Sequence, residues 1–163
     1  MPGITIEVDS ERVQRHMKEA ADNAVDLRPV WTSADERFTE REKEQFAGEG
    51  SVKPSPGESG WTPLSPRYKA QKQREPGIRE AIMQRSGRLK ESLVNPFAPG
   101  AVHDLDRTSY ERGTAVTSDS GYPYPAAHAE GRGVPVRPVL AWTDEDTEWL
   151  ADEMQDHLTD PFG

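Results

Sequence analysis

Residues that usually fill a hydrophobic core are scarce in this sequence, and that scarcity limits what the chain can fold into. Leu, Ile, Val and Phe together account for 27 of 163 residues, and the formal net charge is −9. Such a chain either stays largely disordered or folds around a small core and gains further burial from neighbouring molecules. The 15 Ala and 4 Trp favour the second alternative, because each Trp buries a large area. The length fits a single domain over residues 1–163.

Charge is distributed unevenly along the chain. Residues 1–50 carry 7 basic and 12 acidic side chains, residues 51–100 carry 9 and 4, and residues 101–163 carry 4 and 13. A basic middle with net charge +5 therefore lies between acidic ends of −5 and −9. The acidic total argues against a dedicated nucleic-acid-binding protein.

Several classes of site have no support in the sequence. The absence of Cys rules out disulfides, thiolate metal sites and a cysteine nucleophile. There is no apolar run long enough for a membrane span and no secretory signal, so we expect a soluble product without membrane contact. The glycines between 48 and 60 lack the pattern of a phosphate-binding loop, and no Gly-x-Ser-x-Gly motif occurs. We therefore expect neither an enzyme nor a bound cofactor.

The first third of the chain predicts one strand and two helices. Apolar and polar residues alternate over residues 4–8, which is the period of a half-buried strand. Apolar residues then recur at helical spacing from Glu11 to Leu27. Arg28-Pro29 should interrupt this helix, because the residue before Pro disfavours the helical region. A second helix is predicted over residues 30–47, ending at Gly48 or Gly50.

The middle third predicts a long loop and short helices. Residues 48–60 are rich in Gly, Pro and Ser and have almost nothing to bury, so we expect a flexible loop. The polar stretch 67–85 should be helical in pieces, with a break near Pro76-Gly77. Another helix is predicted through Arg88 to Leu93, starting at Ser86 or Gly87.

The last third predicts extended chain around short helices. Residues 94–117 read as extended, with a hairpin whose turn contains Gly113. An Ala-rich helix should end at Gly131, and Pro135 and Pro138 restrict residues 134–139 to an edge strand or an extended arm. The final helix is predicted over residues 143–158. Its start is marked by a variant capping box, in which Thr143 pairs with Asp146, and by the acidic first turn Asp144-Glu145-Asp146.

Two groups of residues could carry chemistry. Adjacent imidazole and carboxylate groups occur in metal-dependent hydrolases, so His103 and Asp104, with Asp106, form one candidate metal site. The alternative is a solvated loop, which we favour because no other His lies at ligand spacing. The second group is aromatic: Trp61, Tyr68, Tyr122, Tyr124 and Trp142. These side chains either stack on bases or anchor loops to a core or a neighbouring subunit, and their Pro and Gly neighbours favour anchoring.

Read in order, several segments resemble the phage virion morphogenesis family, the tail completion proteins of tailed bacteriophages. The resemblance is carried by Leu27-Arg28-Pro29, Arg37-Phe38, Gly60-Trp61-Thr62-Pro63-Leu64-Ser65 with Tyr68 and Lys69, Ser86-Gly87-Arg88-Leu89-Lys90-Glu91-Ser92-Leu93, Tyr124 with Ala126-Ala127-His128-Ala129-Glu130-Gly131, Val134-Pro135-Val136-Arg137-Pro138-Val139-Leu140, and the acidic C-terminal helix. Their order and spacing extend over residues 27–158.

This resemblance implies an α+β fold in which a small, mostly antiparallel sheet packs against helices, with long loops and extended arms. It also implies a homo-oligomeric ring, which we expect to be a hexamer, in the tail or neck of a virion assembled in the host cytoplasm. The implied partners are the tail tube protein and the head-closure or connector proteins, and genomic DNA would pass through the lumen without specific binding. Three alternatives remain open: a head–tail joining ring, a metal-dependent hydrolase using His103 and Asp104, and an acidic adaptor that folds on its partner.

Within the resemblance we predict ten interaction residues: Trp61, Leu64, Tyr68, Arg85, Gly87, Arg88, Tyr124, Gly131, Arg137 and Pro138. Trp61 and Leu64 would hold the long loop on the helices, and Arg88 would pair across a subunit boundary. Residues 67–90 of one subunit would lie near acidic surface of its neighbour or of the tail tube protein. The alternative for each residue is an ordinary core or turn role.

Overall fold

The computed structural model describes residues 10–52 and 60–159. Within these ranges the chain forms six α-helices and one two-stranded antiparallel sheet, which confirms the α+β class. In chain order the elements are α1 (Ser10–Val25), α2 (Arg28–Ala47), α3 (Pro66–Arg74), α4 (Arg88–Val94), β1 (Ala101–Leu105), β2 (Tyr110–Thr114), α5 (Tyr124–Glu130) and α6 (Asp144–Thr159). The strand predicted over residues 4–8 and part of the predicted loop, residues 53–59, lie outside the described residues.

The break between α1 and α2 falls two residues earlier than the sequence predicts. Pro29 lies in the first turn of α2. N–H groups in the first turn have no partner within the helix, so the N–H that proline lacks costs no hydrogen bond there. The chain turns at Asp26 and Leu27 instead, and the Leu27 N–H donates to the carbonyl of Arg107 at 2.7 Å. At the other end, the Gly48 N–H donates to the carbonyl of Glu44, so α2 ends where the sequence predicts.

The hydrophobic core is small and centred on α2. Its buried cluster consists of Phe38, Phe46, Trp61, Ile82, Leu89, Leu93 and Val139. α4 and α6 pack directly against α2, whereas α1 packs mainly against α6 and leaves much of its apolar stripe exposed. Among the described helices, none combines the length and the apolar character that a bilayer span requires.

The hairpin is present, but its turn lies elsewhere than predicted. β1 and β2 pair with Ala101 opposite Thr114 and Leu105 opposite Tyr110, and the turn is formed by residues 106–109. Gly113 was predicted in the turn, yet it lies within β2 opposite Val102. The alternating residues that follow do not continue the strand, because Val116 is buried against Gly100 instead.

The C-terminal helix starts as the sequence predicts. The Asp146 N–H donates to Thr143 Oγ1 at 3.1 Å, and the Thr143 N–H donates to Asp146 Oδ2 at 2.9 Å, which completes the reciprocal capping box. The Asp146 side chain is fully buried and also accepts hydrogen bonds from Arg37 and Arg41 of α2. Burial alone would raise the pKa of Asp146, but these hydrogen bonds lower it on balance.

Candidate functional site

Four segments of the chain enclose an open groove of about 1020 Å³: residues 62–72, 78–88, 118–128 and 134–137. Six of the ten predicted interaction residues line this groove: Leu64, Tyr68, Arg85, Arg88, Tyr124 and Arg137. The other four, Trp61, Gly87, Gly131 and Pro138, lie in or next to the segments that form its walls. The structure thus brings distant parts of the sequence to one surface.

The floor of the groove is largely apolar. Leu64, Met83 and Tyr124 line it and also pack against the hydrophobic core, so their positions are fixed from behind. Tyr68 lies on the first turns of α3, a helix capped by Ser65, whose hydroxyl accepts the Tyr68 N–H at 3.3 Å. An apolar floor of this size with a few polar groups at its edge is typical of a site that receives a ligand or a partner side chain.

The rim of the groove is cationic. Arg85 and Arg88 are exposed there and pair with Glu75 at 2.5 Å and Asp119 at 3.1 Å, respectively. Arg88 was predicted to pair across a subunit boundary, and the structure gives it a partner within its own chain. Exposed ion pairs of this kind contribute at most about 1 kcal/mol, so an incoming carboxylate could replace Asp119 at little cost.

Lys72 is a buried cation that sequence reasoning missed. It lies in the polar stretch 67–85, where the sequence gives no sign of burial, yet the residue is only 3% exposed. Its ammonium group donates to the carbonyls of Glu80 and Ala81, at 3.1 and 2.7 Å, and so joins α3 to the chain that follows it. Burial lowers the pKa of Lys72. A periodicity analysis cannot find such a residue, because its partners are backbone carbonyls.

Arg137 joins three walls of the groove. Its guanidinium Nε donates to the carbonyl of Thr62 at 2.9 Å, and its Nη1 lies 3.2 Å from His128 Nδ1. Its own N–H donates to the carbonyl of His128 at 2.9 Å. Burial lowers the pKa of Arg137, and burial together with the nearby guanidinium lowers the pKa of His128. Because the residue is 5% exposed, its main role in the single chain is to hold these walls together.

The extended arm over residues 132–143 is anchored to α2 by hydrogen bonds. It forms neither helix nor strand, so the arm alternative of the sequence prediction is correct and the edge-strand alternative is wrong. The Pro138 carbonyl accepts from the Trp61 indole at 2.6 Å and from the Gln45 amide at 3.3 Å. Trp61 also meets the Phe46 ring edge-on, with the ring centroids 5.2 Å apart.

Glycines shape two ends of the groove walls. Gly87 precedes α4 with a φ of 80°, and Gly131 follows α5 with a φ of 69°. Both values lie in the left-handed region, where a side chain adds strain. At Gly131 a Cβ atom would also lie 2.7 Å from Val136 Cγ2.

The geometry does not assemble the candidate metal site. His103 points inward from β1, and its Nε2 lies 3.5 Å from Asp35 Oδ1, while the neighbouring Asp104 is exposed on the other face of the strand. Residues adjacent in a strand cannot both reach one ion from the same face. Over residues 10–52 and 60–159 there is no group of three or more His, Asp or Glu side chains that could hold a metal.

The comparisons with known proteins give one finding that extends over nearly the whole chain. The model of the phage virion morphogenesis family matches residues 8–159. The chain belongs to this family. No curated protein and no solved structure matches the chain significantly. The family match confirms the resemblance seen in the sequence, and it assigns the chain a structural or assembly role in bacteriophage virion morphogenesis.

In this virion morphogenesis protein several charged and polar side chains lie in the interior near the hairpin. Asp35 accepts from the Tyr110 hydroxyl at 3.0 Å and lies 3.0 Å from Arg112 Nε. Glu42 is fully buried on α2, where its carboxyl accepts the Ala141 N–H at 2.7 Å and so fixes the end of the arm. Burial raises the pKa of Glu42 to about 8, although the Ala141 hydrogen bond and the charge of Arg112 act in the opposite direction.

Proposed function

We propose that this protein is a tail completion or tail terminator protein that forms a ring at the head–tail neck, caps the tail tube and joins it to the head. The observation that carries this proposal is the separation of charge on one chain. A cationic surface surrounds α3 and the groove, and an acidic surface lies on α6. A head-to-tail contact between identical subunits can bring two such different surfaces together, and if the rotation closes it produces a ring.

The cationic surface is free to meet a partner. Arg67, Lys69 and Arg74 on α3 are exposed and form no ion pair with any residue in the described part of the chain. They lie on the same helix as Tyr68 and Lys72, which line the groove. Exposed charges that find no partner within a subunit are available to steer and orient association.

The acidic surface is the outer face of α6. Asp144, Glu148, Asp152 and Asp156 are exposed there, and within residues 10–52 and 60–159 none of them pairs with a cation. The inner face of the same helix is held by the buried contact of Asp146 with α2. This contact therefore holds the acidic face of α6 in a fixed position on the subunit. Because this face takes part in the subunit contact, other surfaces would line the lumen, and a lumen without exposed Lys and Arg would let DNA pass, since phosphate binding needs Lys and Arg contacts.

Native mass spectrometry at several salt concentrations tests this proposal. We expect a ring, with a hexamer as the expected mass, that dissociates as salt rises because exposed charges are screened. The double variant Arg67→Glu with Arg74→Glu should remain monomeric, and Asp152→Lys with Asp156→Lys in a second chain should restore assembly when the two are mixed. Lys18→Glu, an exposed reversal on α1, is the matched control and should leave the ring intact. Assembly that tolerates both high salt and the double reversal would refute the charge contact.

A further inference from the structure

Phe97 is the most exposed large hydrophobic residue in the described part of the chain. Its residue is 91% exposed, although it follows the tightly packed helix α4, whose Leu93 is fully buried. A single exposed apolar residue needs no explanation by itself, but an aromatic ring held in water on a fixed backbone is suited to anchor a contact with another molecule when a matching pocket exists.

The backbone around Phe97 is fixed by a network of hydrogen bonds. The side-chain oxygen of Asn95 accepts the Phe97 N–H at 3.0 Å, and the Asn95 carbonyl accepts the Ala98 N–H at 3.1 Å. Ala98 is buried, and its carbonyl accepts the Ala101 N–H at 2.9 Å at the start of β1. Phe97 therefore projects from a rigid turn, and binding through it would cost little conformational entropy.

The groove has the size and chemistry to receive this side chain. Its volume of about 1020 Å³ exceeds what one ring needs and leaves room for the flanking prolines, Pro96 and Pro99. Its floor is apolar and includes the rings of Tyr68 and Tyr124. Aromatic side chains that fill a pocket at the centre of an interface commonly dominate its binding energy.

Charge around the two surfaces is complementary. The Asn95 amide donates to the Glu91 carboxylate at 3.0 Å, which fixes a negative charge beside the Phe97 turn. Glu91 is exposed and, within the described residues, has no cationic partner. The groove lining holds Lys72, Arg85, Arg88 and Arg137 against the single acid Asp119. A segment that presents an aromatic ring and a carboxylate together matches this site.

In the single chain Phe97 stays outside the groove, because it is 91% exposed on a fixed backbone, and the turn and the groove lie toward opposite ends of α4. Arg88, the first residue of α4, lines the groove, and Phe97 follows the last residue, Val94, by three positions. Seven helical residues extend over about 10 Å. We propose that Phe97 of one copy inserts into the groove of a second copy of this chain, as the apolar centre of the subunit contact. The inference rests on the proposed ring, in which each copy gives its turn to the next.

Cysteine cross-linking tests the contact directly, because the natural chain has no Cys. One chain carries Pro99→Cys, an exposed position two residues from Phe97 that keeps the Phe97 ring, and a second chain of different mass carries Ser86→Cys in the exposed groove lining. Treatment of the mixture with a short bis-maleimide should join the two chains. The matched control replaces Pro99→Cys by Met17→Cys, which places the thiol on α1 at a residue that is 64% exposed. The control pair should not cross-link above the level of random collision.

A second measurement separates this inference from the proposed ring. Phe97→Ala should weaken self-association at least ~30-fold while leaving the folded monomer unchanged, because the side chain contacts little of its own chain. The inference would be overturned if only the control pair cross-linked, or if Phe97→Ala formed a ring of unchanged affinity. In either case the proposed ring itself would still be supported. A chain that is monomeric under every condition would overturn both.

Discussion

Glu42→Gln should stabilise this protein at neutral pH, because it replaces a buried ionisable group by a neutral group of the same shape. Burial raises the pKa of Glu42 from an ordinary 4.5 to about 8, so the folded protein holds a proton at pH 7 that the unfolded chain releases. Retaining that proton costs about 3 kcal/mol at pH 7, since one pKa unit corresponds to about 1.4 kcal/mol. Gln is neutral at every pH and can still accept the Ala141 N–H.

The direction of the pH dependence follows from the same two values. Between pH 4.5 and 8 the unfolded state loses the Glu42 proton while the folded state keeps it, so this group lowers stability steadily as pH rises. Below pH 4.5 both states are protonated and the contribution vanishes. Above pH 8 the contribution stops changing, because both states are ionised.

Urea denaturation of both proteins from pH 4.5 to 8.5 measures this effect. The free energy of unfolding should be similar for the two proteins at pH 4.5, and the advantage of Glu42→Gln should grow to about 3 kcal/mol at pH 7. The control Glu36→Gln, on the exposed face of the same helix, should leave the pH dependence of the natural protein unchanged. A Glu42→Gln variant that is less stable than the natural protein and keeps its pH dependence would show instead that Glu42 is ionised and paired in the folded state.

Three further changes test the packing around the groove and the hairpin. Trp61→Ala should lower the free energy of unfolding by about 3–5 kcal/mol, because a ring that is only 5% exposed is lost together with its hydrogen bond to the arm. Urea denaturation measures this change. A loss below about 1 kcal/mol would contradict the role given to Trp61. Gly87→Ala should cost about 1–2 kcal/mol in the same assay, because φ is 80° there, whereas Ser86→Ala should be nearly neutral. Glu111→Lys should raise the melting temperature by relieving the repulsion of Asp104, which lies directly opposite, with a gain of about 0.5 kcal/mol; a lower melting temperature would argue against this register.

Local signals predict the helices well because their causes are local. The capping box of Thr143 and Asp146 sets the start of α6, and the left-handed glycines set the start of α4 and the end of α5. The position of the break at Pro29 was predicted wrongly because two preferences compete. The residue before a proline disfavours the helical region, but proline itself favours the first helical turn, and this preference prevails here.

The groove could not be derived from the sequence in the same way. Its walls come from segments up to about 75 residues apart, as the hydrogen bond from Arg137 to Thr62 illustrates. The burial of polar residues such as Lys72, Glu42 and Arg112 could not be predicted, because charged residues are usually exposed. The sequence does not show which distant group a charged side chain contacts. Phe97 was missed for the opposite reason: an apolar residue is expected inside, and only the structure shows it outside.

The subunit ring is the central claim, and a cryo-EM map of the neck of the phage that encodes this chain tests it most directly. We predict a ring of six copies between the tail tube and the head, in which the cationic α3 surface of each copy faces an acidic α6 surface and its groove holds the Phe97 turn of a neighbouring copy. A chain found elsewhere in the virion, or present in the neck as single copies that do not touch one another, would contradict it.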